Sequence, residues 1–254
     1  MERTFQPQKR TFAIWETIGQ AWDLVSGSKW PIWAIAILIA VVSFIVQILI
    51  SYIFQIDPQD PPALYRYLIM PCINNIIIAP FFAGAVMVGI HRARSESVTA
   101  RTGYQYFRKT IPVMITLFII ALLGNIITYI VHLDSIVTAV GAYSNWLNFI
   151  AGAISVLVYV FLLLAVPLVV DKNLAPLTAL KMSFTIIKHC WFKVLILLII
   201  IYLFFLIAMI PFFVGSLIHP YARILGIVIL IAALIWLIPL LFCIQGVLYH
   251  KLVD

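Results

Sequence analysis

Charge is what this 254-residue chain has least of: 10% of its residues are Asp, Glu, Lys or Arg, against about a quarter in a soluble globular domain. A chain so poor in charge has no water-compatible surface to spread over a core, which excludes a soluble fold. Cysteine is scarce too, with 3 in the chain. Cys72 is expected near one membrane face, and Cys190 and Cys243 near the other. That leaves no disulfide framework and makes them small apolar packing residues. No glycine-rich phosphate loop, nucleophile elbow or His-Glu helix pair occurs, so no catalytic residue can be named and no enzyme is expected. His91, His132, His189, His219 and His250 are scattered near segment ends. A metal centre needs several ligands together with an outer shell of partners, so neither metal nor cofactor is expected.

What the chain does have is long apolar runs, with 65% hydrophobic residues. A helix crosses a bilayer with roughly 20 apolar residues. Six segments meet that length: Trp30–Ile53, Leu68–Ile90, Ile111–Val131, Trp146–Val170, Trp191–Val214 and Ile224–Tyr249. In hydrocarbon a helix satisfies its own backbone hydrogen bonds, and the short alternating segments of a membrane barrel are not seen. The fold class is therefore all-α, a polytopic membrane protein forming a single membrane domain over residues 1–254. The first apolar run begins too far along, and runs too long, for a cleaved signal peptide. It is expected to act as an uncleaved signal-anchor.

The net charge of +7 invites a nucleic-acid reading, but its distribution speaks for a membrane. All but two of the 16 lysines and arginines fall on one side of the six-span count. They are Arg3, Lys9, Arg10 and Lys29, then Arg92, Arg94, Arg101, Arg108 and Lys109, then Lys172, Lys181, Lys188 and Lys193, and finally Lys251. The opposite loops hold only Arg66 and Arg223, beside Asp57, Asp60 and Asp134. Basic loops stay on the cytoplasmic side, so both termini are expected in the cytoplasm, and the surplus charge is accounted for by orientation and anionic lipid. Expected partners are membrane phospholipids and other membrane proteins, with no nucleic acid.

A repeat of about 80 residues aligns Trp30, Ile111 and Trp191, the mark of one supersecondary unit used several times. Pro31 aligns with Pro112 and Thr17 with Thr178. Pro80 and His91 recur as Pro239 and His250, and Pro167 sits in the matching span of the middle unit. The repeats cover roughly residues 11–92, 97–171 and 175–251, each read as a helical hairpin. An amphipathic stretch precedes each hairpin. Phe12, Trp15, Ile18, Trp22 and Val25 alternate with Glu16, Gln20 and Asp23. Arg101, Gln105 and Arg108 repeat the polar spacing beside Tyr104 and Phe107. Lys181, Thr185 and Lys188 repeat it against Leu177, Leu180, Phe184 and Ile187. Such stretches fit helices lying in the interface plane. Opposite signs suggest a cytoplasmic collar in which Glu16 and Asp23 face Arg101, Arg108, Lys181 and Lys188. The alternative is that each face meets only water and headgroups.

The stretch Val166–Phe184, reading VPLVVDKNLAPLTALKMSF, ends a span in Pro167-x-x-x-Asp171 and opens the next helix with Ala179-x-x-x-Ser183. This pattern resembles the six-span bacterial membrane proteins of the YciC type. It is also similar to the membrane domain attached to some glycerophosphodiester phosphodiesterases. The first repeat departs from it, carrying His91-Arg92 where the acid would stand. The resemblance implies a polytopic inner-membrane protein with a role in envelope or lipid homeostasis. No phosphodiesterase barrel is present to carry that activity over.

The spans carry no ionised residue at their centres, which counts against an ion-coupled pump. One uncharged grouping stands out. Asn74 and Asn75 lie near the start of a span entering from outside, and Asn125 lies roughly 21 Å along a span entering from inside. With Gln47 and Ser155 they share the outer half of the hydrocarbon. They could line a cavity for a lipid headgroup or small polar solute, or they could serve as hydrogen-bond glue between helices. Pro80, Pro167 and Pro239 are positioned to kink their spans, and Ala85, Gly89, Gly152 and Ala153 to let helices approach. The leading expectation is a non-enzymatic scaffold, assembly factor or lipid-interacting component of the cell envelope. The alternative is a transporter or flippase for a small amphipathic or hydrophobic solute.

Overall fold

The computed structural model describes residues 11–54, 62–133 and 144–254. Arg3, Lys9, Arg10, Asp57, Asp60 and Asp134, which bear on the orientation of the chain, lie outside the described residues, as do the side chains of Tyr104 and Phe107. Among the described residues the chain is helical, without strands. The helices are α1 (Ile14–Ile53), α2 (Met70–Ala93), α3 (Ala100–Tyr104), α4 (Thr110–Val131), α5 (Ser144–Phe161), α6 (Ala165–Asp171), α7 (Pro176–Ile187), α8 (Trp191–Ile218) and α9 (Pro220–Val253). A π-helical turn, Tyr65–Ile69, leads into α2, and a 3-10 turn, Gln105–Lys109, leads into α4. Among the described residues six stretches are long and apolar enough to cross a membrane: Ile14–Ile53, Tyr65–Ala93, Thr110–Val131, Asn145–Asp171, Trp191–Ile218 and Pro220–Val253. Their outer faces stay apolar. Ile37, Phe44, Leu203, Ile207, Leu217 and Leu225 are all exposed, a surface that water would not tolerate but lipid does.

The segment expected as a surface helix before the first span is continuous with that span. α1 runs unbroken for 40 residues, a length of about 60 Å at 1.5 Å per residue. The hydrocarbon takes up roughly 30 Å of that, so the amphipathic start extends the span instead of turning away from it. Pro31 sits inside α1 without breaking it. The stretch before α4 is likewise contiguous with its span through α3 and the 3-10 turn. Only the third is set apart, as α7, with Pro176 in its first turn, where the missing N–H costs nothing.

Packing divides the chain into two compact units that cut across the repeats. Among the described residues the first unit comprises 11–35, 85–104 and 189–254. Here α1 buries Thr17, Ile18, Ala21, Val25, Ser28, Ile32 and Ile35, a stripe at helical spacing. Phe12 is buried as well, whereas Trp15 and Trp22 are exposed. Ser28 Oγ meets Cys243 Sγ at 3.1 Å, and Trp33 Nε1 donates to the Ile235 carbonyl at 3.1 Å. The end of α2 crosses α9 where neither helix has a side chain in the way. A Cβ at Gly89 would collide with the Phe242 carbonyl, and one at Gly246 with the backbone of Gly89.

Among the described residues the second unit comprises 36–54, 62–84, 105–133 and 144–188. Its central feature is a broken span. Pro167 has no N–H to offer the Leu163 carbonyl, so the helix is interrupted between Phe161 and Ala165, as an interior proline demands. The turn tightens, with Ala165 N donating to Leu162 O at 3.0 Å. Ser183 on α7 closes the gap: it accepts from Leu164 N at 3.2 Å and donates to Phe161 O at 2.8 Å. The sequence suggests only a small packing residue or a bond to its own helix; the hydroxyl instead serves the helix opposite. At Pro80 and Pro239 the helices continue. Cys72, Cys190 and Cys243 are buried thiols outside any disulfide.

Candidate functional site

The amide grouping falls wholly within the second unit. Asn125 Nδ2 donates to its own helix at Ala121 O, 2.7 Å away, and to Tyr159 Oη on α5 at 3.0 Å. Ser155 donates to the Gly124 carbonyl and lies 3.3 Å from Thr128 Oγ1. Asn125 and Ser155 thus stitch α4 to α5. Asn75 Nδ2 is turned back on Pro71 O at 2.8 Å. Asn74 Oδ1 is buried without a hydrogen-bond partner. Gln47 is half-buried on α1. The structure brings Asn125 and Ser155 together across one helix pair and places Asn74 and Asn75 on a different element.

The basic end of the first unit carries a more developed site, starting from how α2 stops. Ser95 takes a left-handed conformation (φ 63°). Glu96 N then reaches the His91 carbonyl at 2.9 Å and Ser95 N the Arg92 carbonyl at 3.0 Å. This pair of backbone hydrogen bonds is the Schellman stop. The His91 ring and the Glu96 carboxylate pair across it. The stop leaves Arg92 and Arg94 at the helix end, facing the last turn of α9. Arg94 forks onto Asp254, with Nε 2.9 Å from Oδ2 and Nη2 3.0 Å from Oδ1. His250 Nδ1 lies 3.3 Å from the same carboxylate. His91 and His250, equivalent in the repeat, are thus each matched to an acid.

Between these parts lies a polar cavity of about 750 Å³. α1 contributes Gln20 and Asp23, the end of α2 contributes Arg92 and Ser95, and α9 contributes His250, Lys251 and Asp254. Lys251 Nζ is held by Glu16 Oε1 at 2.9 Å and touches Thr17 Oγ1 at 3.4 Å. Glu16 therefore takes its cation from α9. Of the collar residues, Asp23 lines the cavity and Arg101 is exposed in the same unit, while Arg108, Lys181 and Lys188 are exposed residues of the second unit. The Glu16–Lys251 pair is open to solvent, where ion pairs contribute little and salt screens them. Glu16→Gln should leave the melting temperature nearly unchanged, and any difference should vanish in high salt.

A second cavity of the same unit is apolar, about 430 Å³, lined by Trp22, Phe204, Ile207, Ala208, Ala233, Trp236 and Leu237. The Trp22 and Trp236 rings stack with centroids 5.5 Å apart. Lys29 Nζ sits 5.1 Å from the Trp236 ring, close enough for a cation–π contact. In sequence Trp22 is one member of an apolar face. Its pairing with Trp236 needs the contact between α1 and α9, which local spacing does not reveal.

Comparison of the chain with family models, with curated proteins and with solved structures found no match. The chemistry rests on the residues alone. Among the described residues no cluster of three or more His, Cys, Asp or Glu could hold a metal. Burial pushes the Cys190 thiol up, with Lys193 opposing it, which makes it a poor nucleophile at neutral pH. One cavity offers charge of both signs, and the other offers rings beside a cation.

Proposed function

We propose that this chain is a non-enzymatic, lipid-interacting component of a cell inner membrane, serving there as a scaffold or assembly factor. Both termini stand on the cytoplasmic side in this reading, with the basic ends of the spans. The YciC-type kinship suggested by Pro167, Asp171, Ala179 and Ser183 belongs to the same proposal. The observation that carries it is the apolar groove lined by Trp22, Ile207, Ala233 and Trp236, with Lys29 beside the Trp236 ring. An acyl chain fits the apolar lining, indoles favour the interfacial depth, and an ammonium at that depth suits a phosphate. The hydrogen bonds that Asn125 and Ser155 make between α4 and α5 favour this reading over the transporter or flippase, because they tie up groups that a solute path would need.

Mass spectrometry of the gently purified protein should detect retained phospholipid. Filling the groove through Ala208→Trp or Ala233→Trp should remove most of it without loss of fold. A protein that is lipid-free from the start and turns over a substrate would reject the reading.

A further inference from the structure

Two charged groups in the polar cavity stand apart from the others. Arg94, His250, Lys251 and Asp254 are engaged with one another or with Glu16. The side chains of Arg92 and Asp23 make no hydrogen bond or ion pair with any described residue, although both line the same cavity. Arg92 is half-buried, and its Nε is buried without a partner. An anion in the cavity would give the guanidinium the partner that the described residues do not supply.

The fold makes room for it. A Cβ at Gly27 would strike Arg92 Nη2 and Cζ, so the bare backbone of α1 at Gly27 is the surface over which the guanidinium passes. Depth fixes the surroundings. From Pro220 to Val247 α9 rises about 40 Å, close to the full thickness of a bilayer with its headgroups. The cavity therefore lies at headgroup level on the basic side.

We infer that this cavity binds a phosphate ester carrying a primary ammonium, with the phosphate on Arg92 and the ammonium on Asp23. A purely anionic ligand would meet the repulsion of Asp23 and Asp254. A purely cationic one would leave Arg92 unmatched. A quaternary ammonium has no N–H to give Asp23, so an ethanolamine-type headgroup is preferred over a choline-type one. This chemistry could belong to a membrane lipid or to a free phosphoamine, and the inference rests on the lipid-interacting reading only for the first source.

The test uses the full chain in nanodiscs, titrated with phosphatidylethanolamine, phosphatidylcholine and phosphatidylglycerol, and separately with soluble O-phosphoethanolamine. Retention of phosphatidylethanolamine should exceed that of phosphatidylcholine about tenfold, the size of one charge-assisted hydrogen bond. Asp23→Asn should erase that preference, and Arg92→Ala should weaken every phospholipid about tenfold or more. Gly27→Ala displaces the guanidinium and leaves Arg92 in place. It should reproduce the Arg92 effect, and it replaces Arg92→Ala if that variant does not fold. Competition by O-phosphoethanolamine that depends on Arg92 assigns the site to the headgroup chemistry itself, including a soluble source. Equal retention of the three lipids, or retention indifferent to both Arg92→Ala and Gly27→Ala, overturns the inference. If lipid is then still lost with Ala208→Trp, the groove reading survives on its own; if no lipid is held at either place, both fall.

Discussion

Gly89→Leu and Gly246→Leu are each expected to yield no folded protein, seen as loss of the monodisperse peak in detergent chromatography. At both positions the obstacle is backbone: Phe242 O and C for Gly89, and Gly89 O and C and Ile90 N for Gly246. A flexible side chain could swing aside, but a helix backbone moves only if the whole element moves. The end of α2 would have to leave α9, and the contacts around Ile90, Val247 and Leu248, all buried, would go with it. Overpacking of a close contact by alanine alone costs typically about 1–3 kcal/mol, so Gly89→Ala and Gly246→Ala should lower the melting temperature measurably. Because the two glycines serve one crossing, the double alanine variant should cost less than the sum of the singles. Gly152→Ala is the control. Nothing lies within 4 Å of a Cβ there, so the change should be neutral or gain up to about 1 kcal/mol in helix propensity. Equal behaviour of the three alanine variants would refute the crossing.

The contrast between Gly89 and Gly152 shows where sequence reading stops. Both read as close-approach residues, and from local sequence they are indistinguishable. Whether a partner helix arrives at a glycine depends on tertiary packing, which has no local signal. Span positions are far more legible, because length and hydropathy are set by the bilayer. The segments read at Ile111–Val131 and Trp191–Val214 match helices at Thr110–Val131 and Trp191–Ile218. Continuity is harder to read. Glu16, Gln20 and Asp23 mark an amphipathic turn, but a polar face beside an apolar one fits a surface helix and an extended span end equally well. Lys29-Trp30-Pro31 looks like punctuation, yet proline breaks a helix only where the released carbonyl and the ring clash cannot be absorbed. It does so at Pro167 and not at Pro31. The site at the basic end is half-visible. His91 and His250 pair through the repeat, and Asp23 is marked by its sign. The unpaired state of Arg92 and the bare backbone at Gly27 depend on how α1, α2 and α9 meet.

Ser183→Val is expected to have the second largest effect, and its cause differs from that at Gly89. Ser183 is fully buried, and its hydroxyl serves two backbone groups across the break that Pro167 imposes: the N–H of Leu164 and the carbonyl of Phe161. Removing the hydroxyl leaves a buried N–H without its acceptor, at about 1–3 kcal/mol; the branched valine adds overpacking. Ser183→Ala isolates the hydrogen-bond loss and should lower the apparent melting temperature by several degrees, less than Ser183→Val. Pro167 decides whether the cost belongs to the break. In Pro167→Ala the N–H of residue 167 becomes available to Leu163, and α5 and α6 can join into one helix whose own ladder takes up Leu164. Ser183→Ala should then cost much less in the Pro167→Ala background than alone. A double-mutant cycle measures that difference. Strict additivity would mean that Ser183 acts by packing alone, and that the gap between Phe161 and Ala165 is held by something other than its hydroxyl.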